Sequence, residues 1–179
     1  MIKVLRIVVL MTLLCAATGS LAASSTEIDI KVDAALKTFS ETVTGGEAFL
    51  KKAQGVLVFP EVVKAGFGIG GEYGEGALRI NGKTVEYYST AAASIGFQIG
   101  AQLKTVVLVF LAEEALKQFR ASDGWKAGVD GSVALVTLGA GKDLNTVNMK
   151  EPIVGFVISN KGLMYNLTLE GSKFTRLKR

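Results

Sequence analysis

The stretch Gly66-Phe67-Gly68-Ile69-Gly70-Gly71-Glu72-Tyr73-Gly74-Glu75-Gly76 constrains this chain most, because six of its residues are glycine. Gly66, Gly68 and Gly70 alternate with Phe67 and Ile69. A period of two belongs to a strand, here with one bare face and one apolar face. The string also contains a GxGxxG match, but a dinucleotide site needs a helix directly after its glycines. Gly74 and Gly76 follow instead, the next helical pattern waits until Ala112, and no βαβ spacing occurs. The glycines therefore read as strand residues.

Two more segments share this character. Ser94, Gly96, Gln98, Gly100 and Gln102 form a small-residue and amide face opposite Ile95, Phe97, Ile99 and Leu103. Lys126, Gly128, Asp130, Ser132 and Ala134 form a third such face within an alternating run, Trp125 to Leu138. Glycine inside a strand marks tight curvature or close approach by another backbone or ligand. Side by side, the three faces predict a shallow, polar-lined trough. Two occupants remain open: the protein's own N-terminal helix or a barrel bend, and a ligand such as part of a lipid.

The first 22 residues read as a signal peptide. Lys3 and Arg6 precede an apolar run from Ile7 to Ala17, and Ser20-Leu21-Ala22 places small residues where signal peptidase reads, so cleavage is expected before Ala23. The run is short for a membrane span. Leu14 stands where lipidation of Cys15 would need a small residue. The expected mature protein, residues 23–179, is then one domain in the periplasm or envelope. It has no cysteine, so packing alone must hold it.

Thr26 to Gln54 has apolar residues at helical spacing (Ile28, Val32, Leu36, Phe39, Val43), interrupted at Gly45-Gly46. Such an amphipathic segment either covers its own core or lies on a membrane with Lys51 and Lys52 toward headgroups. From Gly55 the period changes to two. Strands are expected at Val56–Phe59, Ala65–Tyr73, Ala77–Ile80, Lys83–Ser89, Ser94–Leu103, Thr105–Phe110, Trp125–Leu138, Ile153–Ser159 and Leu163–Leu167. Asn81-Gly82 is a type I′ hairpin signal, Ala112–Arg120 an inserted helix, and Gly139–Lys150 a loop. The fold class is α+β: N-terminal helices packed on a curved, largely antiparallel sheet or barrel of about seven to nine strands.

Composition excludes several chemistries. The chain contains no histidine, and its single cysteine is Cys15. Serine–histidine triads, cysteine nucleophiles and ordinary zinc sites are therefore absent from the mature chain, and no metal or cofactor is expected. Removing Lys3 and Arg6 from the 20 basic residues leaves a mild excess over the 16 acidic ones, unlike a nucleic-acid binder. Asp123, Asp130 and Asp143 lie in or beside glycine-rich segments, but no spacing pairs them as a hydrolase would require. A non-catalytic protein is expected.

Ala53-Gln54-Gly55-Val56-Leu57-Val58-Phe59-Pro60, followed by Lys64-Ala65-Gly66-Phe67-Gly68-Ile69-Gly70-Gly71 and Gly74-Glu75-Gly76, resembles the SYLF (Ysc84-like) family. Ala93 to Gln102 resembles its second block. Val109-Phe110-Leu111, Ala115-Leu116, Phe119 and Gly128-Val129-Asp130 resemble its third. The likeness covers roughly Thr26 to Gly141. It implies a lipid-associating domain, since eukaryotic relatives bind phosphoinositide membranes and some bind actin, while lipid binding is the usual suggestion for exported bacterial relatives. The expected partner is anionic phospholipid or a membrane surface. Lys64 and Arg79, beside the glycine block, are the candidates for phosphate contact, with Gly66, Gly68, Gly70, Gln98 and Gln102 lining the trough. The C-terminal Lys173, Arg176, Lys178 and Arg179 read as a small basic tail. An envelope protein-interaction or structural module is the alternative.

Overall fold

Ser24 starts the first helix, α1 (Ser25–Thr42), by accepting the Glu27 backbone N–H on its side-chain oxygen at 3.2 Å. Ile28, Val32, Ala35 and Phe39 recur at helical spacing and are buried, as is Val43 just beyond. Gly45 takes a positive φ of 79° and turns the chain into a short helix, α2 (Gly46–Leu50), which buries Phe49. The computed structural model describes residues 23–136, 151–159, 162, 163, 169 and 171–179, with the backbone path alone for 66–69, 94–101, 159, 162 and 163. The expected signal peptide, the loop expected at 139–150 and most of the hairpin expected at 160–167 lie outside the described residues.

Six of the expected strands are two. β1 (Gly55–Ile80) and β2 (Lys83–Phe110) form one antiparallel hairpin, registered from Gly55 opposite Phe110 to Ile80 opposite Lys83. Asn81 and Gly82 turn it with φ of 52° and 75°, both positive as type I′ requires. Pro60 does not end the first strand, because it sits in a register shift between Phe59 and Val62 where no ladder N–H is needed. Its carbonyl accepts the Thr105 hydroxyl at 2.8 Å. The glycines likewise bend the strand without ending it, and a second shift lies between Gly66 and Gly68.

A straight strand of this length would run roughly 85 Å. Instead β1 curls so that Gly76 lies against the Val58 carbonyl and the Phe59 ring, and Gly74 against Glu61 and Val62. A Cβ at Gly74 would sit 2.8 Å from the Glu61 carbonyl oxygen, and one at Gly76 would overlap that of Val58. Bare backbone at these two positions is what lets the strand fold over itself.

After β2 come α3 (Glu113–Ala121), β3 (Trp125–Lys126), β4 (Ala134–Val136), β5 (Ile153–Ser159), β6 (Gly162–Leu163) and β7 (Lys173–Leu177). Among the described residues the sheet has seven strands in the order β3-β7-β2-β5-β4, with β1 on β2 and β6 on β5. Only β4–β5 is parallel among the described pairs. The architecture is α+β, a curled, largely antiparallel sheet with helices against it.

The curl brings the turn end of the hairpin against its base, and both faces there are covered. Val56, Val58, Ala77, Val107 and Val109 meet α1 and α2, where Phe39 and Phe49 pack edge-on against Phe156 of β5. Leu57, Phe59, Leu78, Tyr88, Val106, Leu108 and Phe110 meet Phe119 of α3, Trp125 and Phe174. Double coverage explains why Val56–Phe59 and Val106–Phe110 read as unbroken apolar runs rather than alternation.

Two expectations are corrected here. Trp125 to Leu138 is not one alternating strand: a turn closes between β3 and β4, where Asp130 accepts the Lys126 N–H at 2.6 Å and Gly128 has φ 81°. Val129, which strand alternation would put on the apolar side with Trp125 and Val133, is 75% exposed on that turn. The third face of the trough therefore does not form, since β3 pairs with β7 and β4 with β5. The basic tail is also a strand, β7, paired with Tyr87–Ala91 and anchored by buried Phe174.

Candidate functional site

The middle of the hairpin gathers most of the residues singled out in the sequence. Gly66 pairs with Gly100, Gly68 with Gly96 and Gly70 with Ser94, so two of the three small-residue strands do lie side by side. Lys64 pairs with Gln102, which is exposed, and Gln98 falls within the register shift between Gly66 and Gly68. Arg79 lies away from them at the turn end, beside Asn81-Gly82. On its second edge β2 is held by β7 at Tyr87–Ala91 and by β5 at Lys104–Phe110. Between these anchors, residues 92–103 have only β1 as a ladder partner among the described residues, making a two-stranded arm.

Lys64 is not solitary. Its Nζ lies 3.6 Å from Glu72 Oε1, while the other oxygen of Glu72 accepts a short hydrogen bond from Lys104. The Lys104 side chain is only 4% exposed and that of Glu72 13%. An ammonium removed this far from water needs a carboxylate beside it. Two lysines share that single carboxylate, so the cluster carries one surplus positive charge. Lys104 was missed in the sequence because the apolar strand was read from Thr105 onward. Its parity was the available signal: it falls on the same side as Val106, Leu108 and Phe110, where a charge has no ordinary reason to be.

The positions alternating with these charges are apolar and open. Val63 and Leu103 are direct cross-strand partners, 44% and 47% exposed, and Tyr73 is 52% exposed. Val63 and Tyr73 also wall a cleft of about 410 Å³ with Ile28, Pro60 and Glu75. Burial raises the pKa of Tyr73, and the hydrogen bond it donates to Glu75 at 2.9 Å raises it further.

Arg79 is committed elsewhere. It reaches Asp33 at 2.7 Å and Asp29 at 3.6 Å, and donates to the Asp29 and Gly82 carbonyls at 3.3 and 3.4 Å. Asp29 also accepts from Thr84 at 2.6 Å and Tyr87 at 2.9 Å. The arrangement clamps α1 to the hairpin turn. Lys51 pairs with Glu47 at 2.8 Å on the exposed side of α2, and Lys52 is exposed. Asp123 and Asp130 are exposed, and Asp143 lies outside the described residues. Among the described residues no helix is long and apolar enough to cross a membrane.

Residues 91–179 match the family model described as Ysc84, Las17-binding protein actin regulator. This supports the SYLF family. The Ysc84 match takes in the second and third blocks of resemblance, together with Lys104, α3 and β7, while Lys64 and the first glycine block lie before it. No curated protein matches the chain.

Proposed function

We propose that the chain is an exported, non-catalytic protein that associates with anionic phospholipid at a membrane surface through the arm formed by residues 62–73 and 92–103. The observation carrying this reading is the Lys64–Glu72–Lys104 cluster, whose surplus positive charge lies on one face of the arm, with exposed Val63, Leu103 and Tyr73 alternating with it on the other. Lysine stems and exposed apolar groups on one element suit the boundary between headgroups and acyl chains. The location is the periplasm or envelope, on the strength of the expected signal peptide. Arg79 contributes by holding α1 in place, because a phosphate there would have to displace Asp29 and Asp33.

The test is vesicle flotation. The protein should float with vesicles containing phosphatidylglycerol, float less with phosphatidylcholine alone, and lose the difference in 0.5 M salt, where screening is within a few ångströms. Lys64→Ala should reduce the bound fraction several-fold, and Leu103→Ser should reduce binding to both vesicle types. Equal flotation on both vesicles with and without salt would end the electrostatic part of the reading.

A protein-binding envelope module is the second reading. The matched family is described as Las17-binding, and β1 has only β2 as a strand partner among the described residues. An open strand edge accepts an added strand through backbone hydrogen bonds. Capture of an envelope protein that survives detergent, with no vesicle binding, favours this reading.

A further inference from the structure

We infer that cleavage before Ala23 creates a ligand for the protein's own Glu75: the new α-ammonium group of Ala23 seats on that carboxylate and fastens the start of α1 to β1. This rests on the export reading for the cut itself. Hydrolysis adds water across the Ala22–Ala23 amide. The oxygen goes to the Ala22 carbonyl carbon, the C–N bond breaks, and the nitrogen leaves as an amine that is protonated at neutral pH.

Three observations place that amine. The Ala23 nitrogen is already 3.2 Å from Glu75 Oε2, across 52 residues of sequence. Only Ser24, the cap residue, separates Ala23 from the first turn of α1, so the amine is held near Glu75 with little freedom left to lose. The Glu75 side chain is 12% exposed, and it receives Tyr73 at 2.9 Å and Arg179 at 2.6 Å as well. Ala23 and Arg179 thus converge on one largely buried carboxylate.

Charge calls for the amine too. Around the cleft that Ala23 lines, Glu27, Glu61 and Glu75 face Lys31 and Arg179, three carboxylates against two cations. Lys31 bridges Glu27 and Glu61 at 2.9 Å each. The α-ammonium supplies the missing positive charge. A positive group at a helix N-terminus opposes the helix dipole, which makes a facing carboxylate necessary for it to stay there.

The experiment has separate arms for the cut and the latch. Intact mass of the protein recovered from a bacterial periplasm should give a chain starting at Ala23, and a different start overturns the cut. The latch is tested on chains made to begin at Ala23 by tag removal, with the amine free or acetylated, each with and without Glu75→Gln. Acetylation should lower the urea midpoint of the wild-type chain and leave the Glu75→Gln chain nearly unchanged. Equal losses in both backgrounds overturn the latch. If Glu75→Gln does not fold, titration of the wild-type amine by NMR decides. Its midpoint should lie about one pH unit higher in the folded chain than in urea, and equal midpoints overturn the proposal.

Discussion

Gly76 shows what a single hydrogen atom in place of a methyl group decides. A Cβ there would overlap the Val58 carbonyl, a backbone atom with nowhere to go, whereas at Gly71 the nearest atom is an ordinary 3.6 Å away. Gly76→Ala should therefore cost about 3 kcal/mol or more, and Gly71→Ala almost nothing, in paired urea unfolding measurements. The two glycines look alike in the sequence, since what separates them is a strand segment some eighteen positions earlier in the chain. The lysine cluster makes a second residue-scale prediction. Glu72→Gln strands Lys104 in a nearly closed site and should cost about 3 kcal/mol. Lys104→Met removes the buried charge and leaves Glu72 its contact with Lys64, so it should cost distinctly less. The reverse order of urea midpoints would show that the cluster does not carry a surplus cation. Lys64 was legible beside the glycines; its partners were not, because Glu72 and Lys104 meet it only once the hairpin curls.

At the scale of elements, the local signals were legible and the long-range ones were not. α1 was readable because Ile28, Val32, Phe39 and Val43 define a stripe within one segment, and they are the residues that become buried. Phe39 is fully buried with its ring 4.9 Å from that of Phe156. Phe39→Ala should thus cost about 3–5 kcal/mol. Loss of the cap in Ser24→Ala should cost about 1 kcal/mol. Calorimetry of the two variants checks both the size and the order. The turn at Asn81-Gly82 was readable because its chemistry is confined to two residues. By contrast, Pro60 and Gly74-Glu75-Gly76 fall between the strands that local pattern predicts. They lie instead within one very long strand, Pro60 in a register shift and Gly74 and Gly76 where the strand folds over itself. β7 is illegible for a related reason: five residues, two of them cations and only Phe174 buried, become a strand only against Tyr87–Ala91.

Across the whole molecule, charge ties the last strand to the rest. Glu86 of β2 accepts from Arg120 of α3 at 3.0 and 3.2 Å, faces Arg176 of β7 at 3.5 Å, and accepts the Tyr88 hydroxyl at 2.8 Å. Burial pushes the Glu86 carboxyl up, but the bonds from Arg120 and Tyr88 outweigh it and hold the pKa below the usual value. Burial above all, and then Glu86, push the Tyr88 hydroxyl up to about 12, so it stays a donor. A carboxylate depressed on folding stabilises the folded state above its unfolded pKa of about 4.3, and that contribution fades as pH falls through the lower folded value. The melting temperature of wild type should exceed that of Glu86→Gln at pH 7, and the gap should close below about pH 4. A gap that persists unchanged at pH 3 would contradict this role. The sequence by itself determined the α+β class, the amphipathic first helix, the hairpin turn and the strand nature of the glycine block, since each depends on periodicity or on two adjacent residues. Only the tertiary structure decided that the hairpin curls on Gly74 and Gly76, and that Lys104 and Glu72 join Lys64. It also decided that Arg79 serves α1, and that Ala23 and Arg179 meet at Glu75. Those contacts join residues far apart in the chain, and no local pattern encodes the distance at which a carboxylate will be waiting.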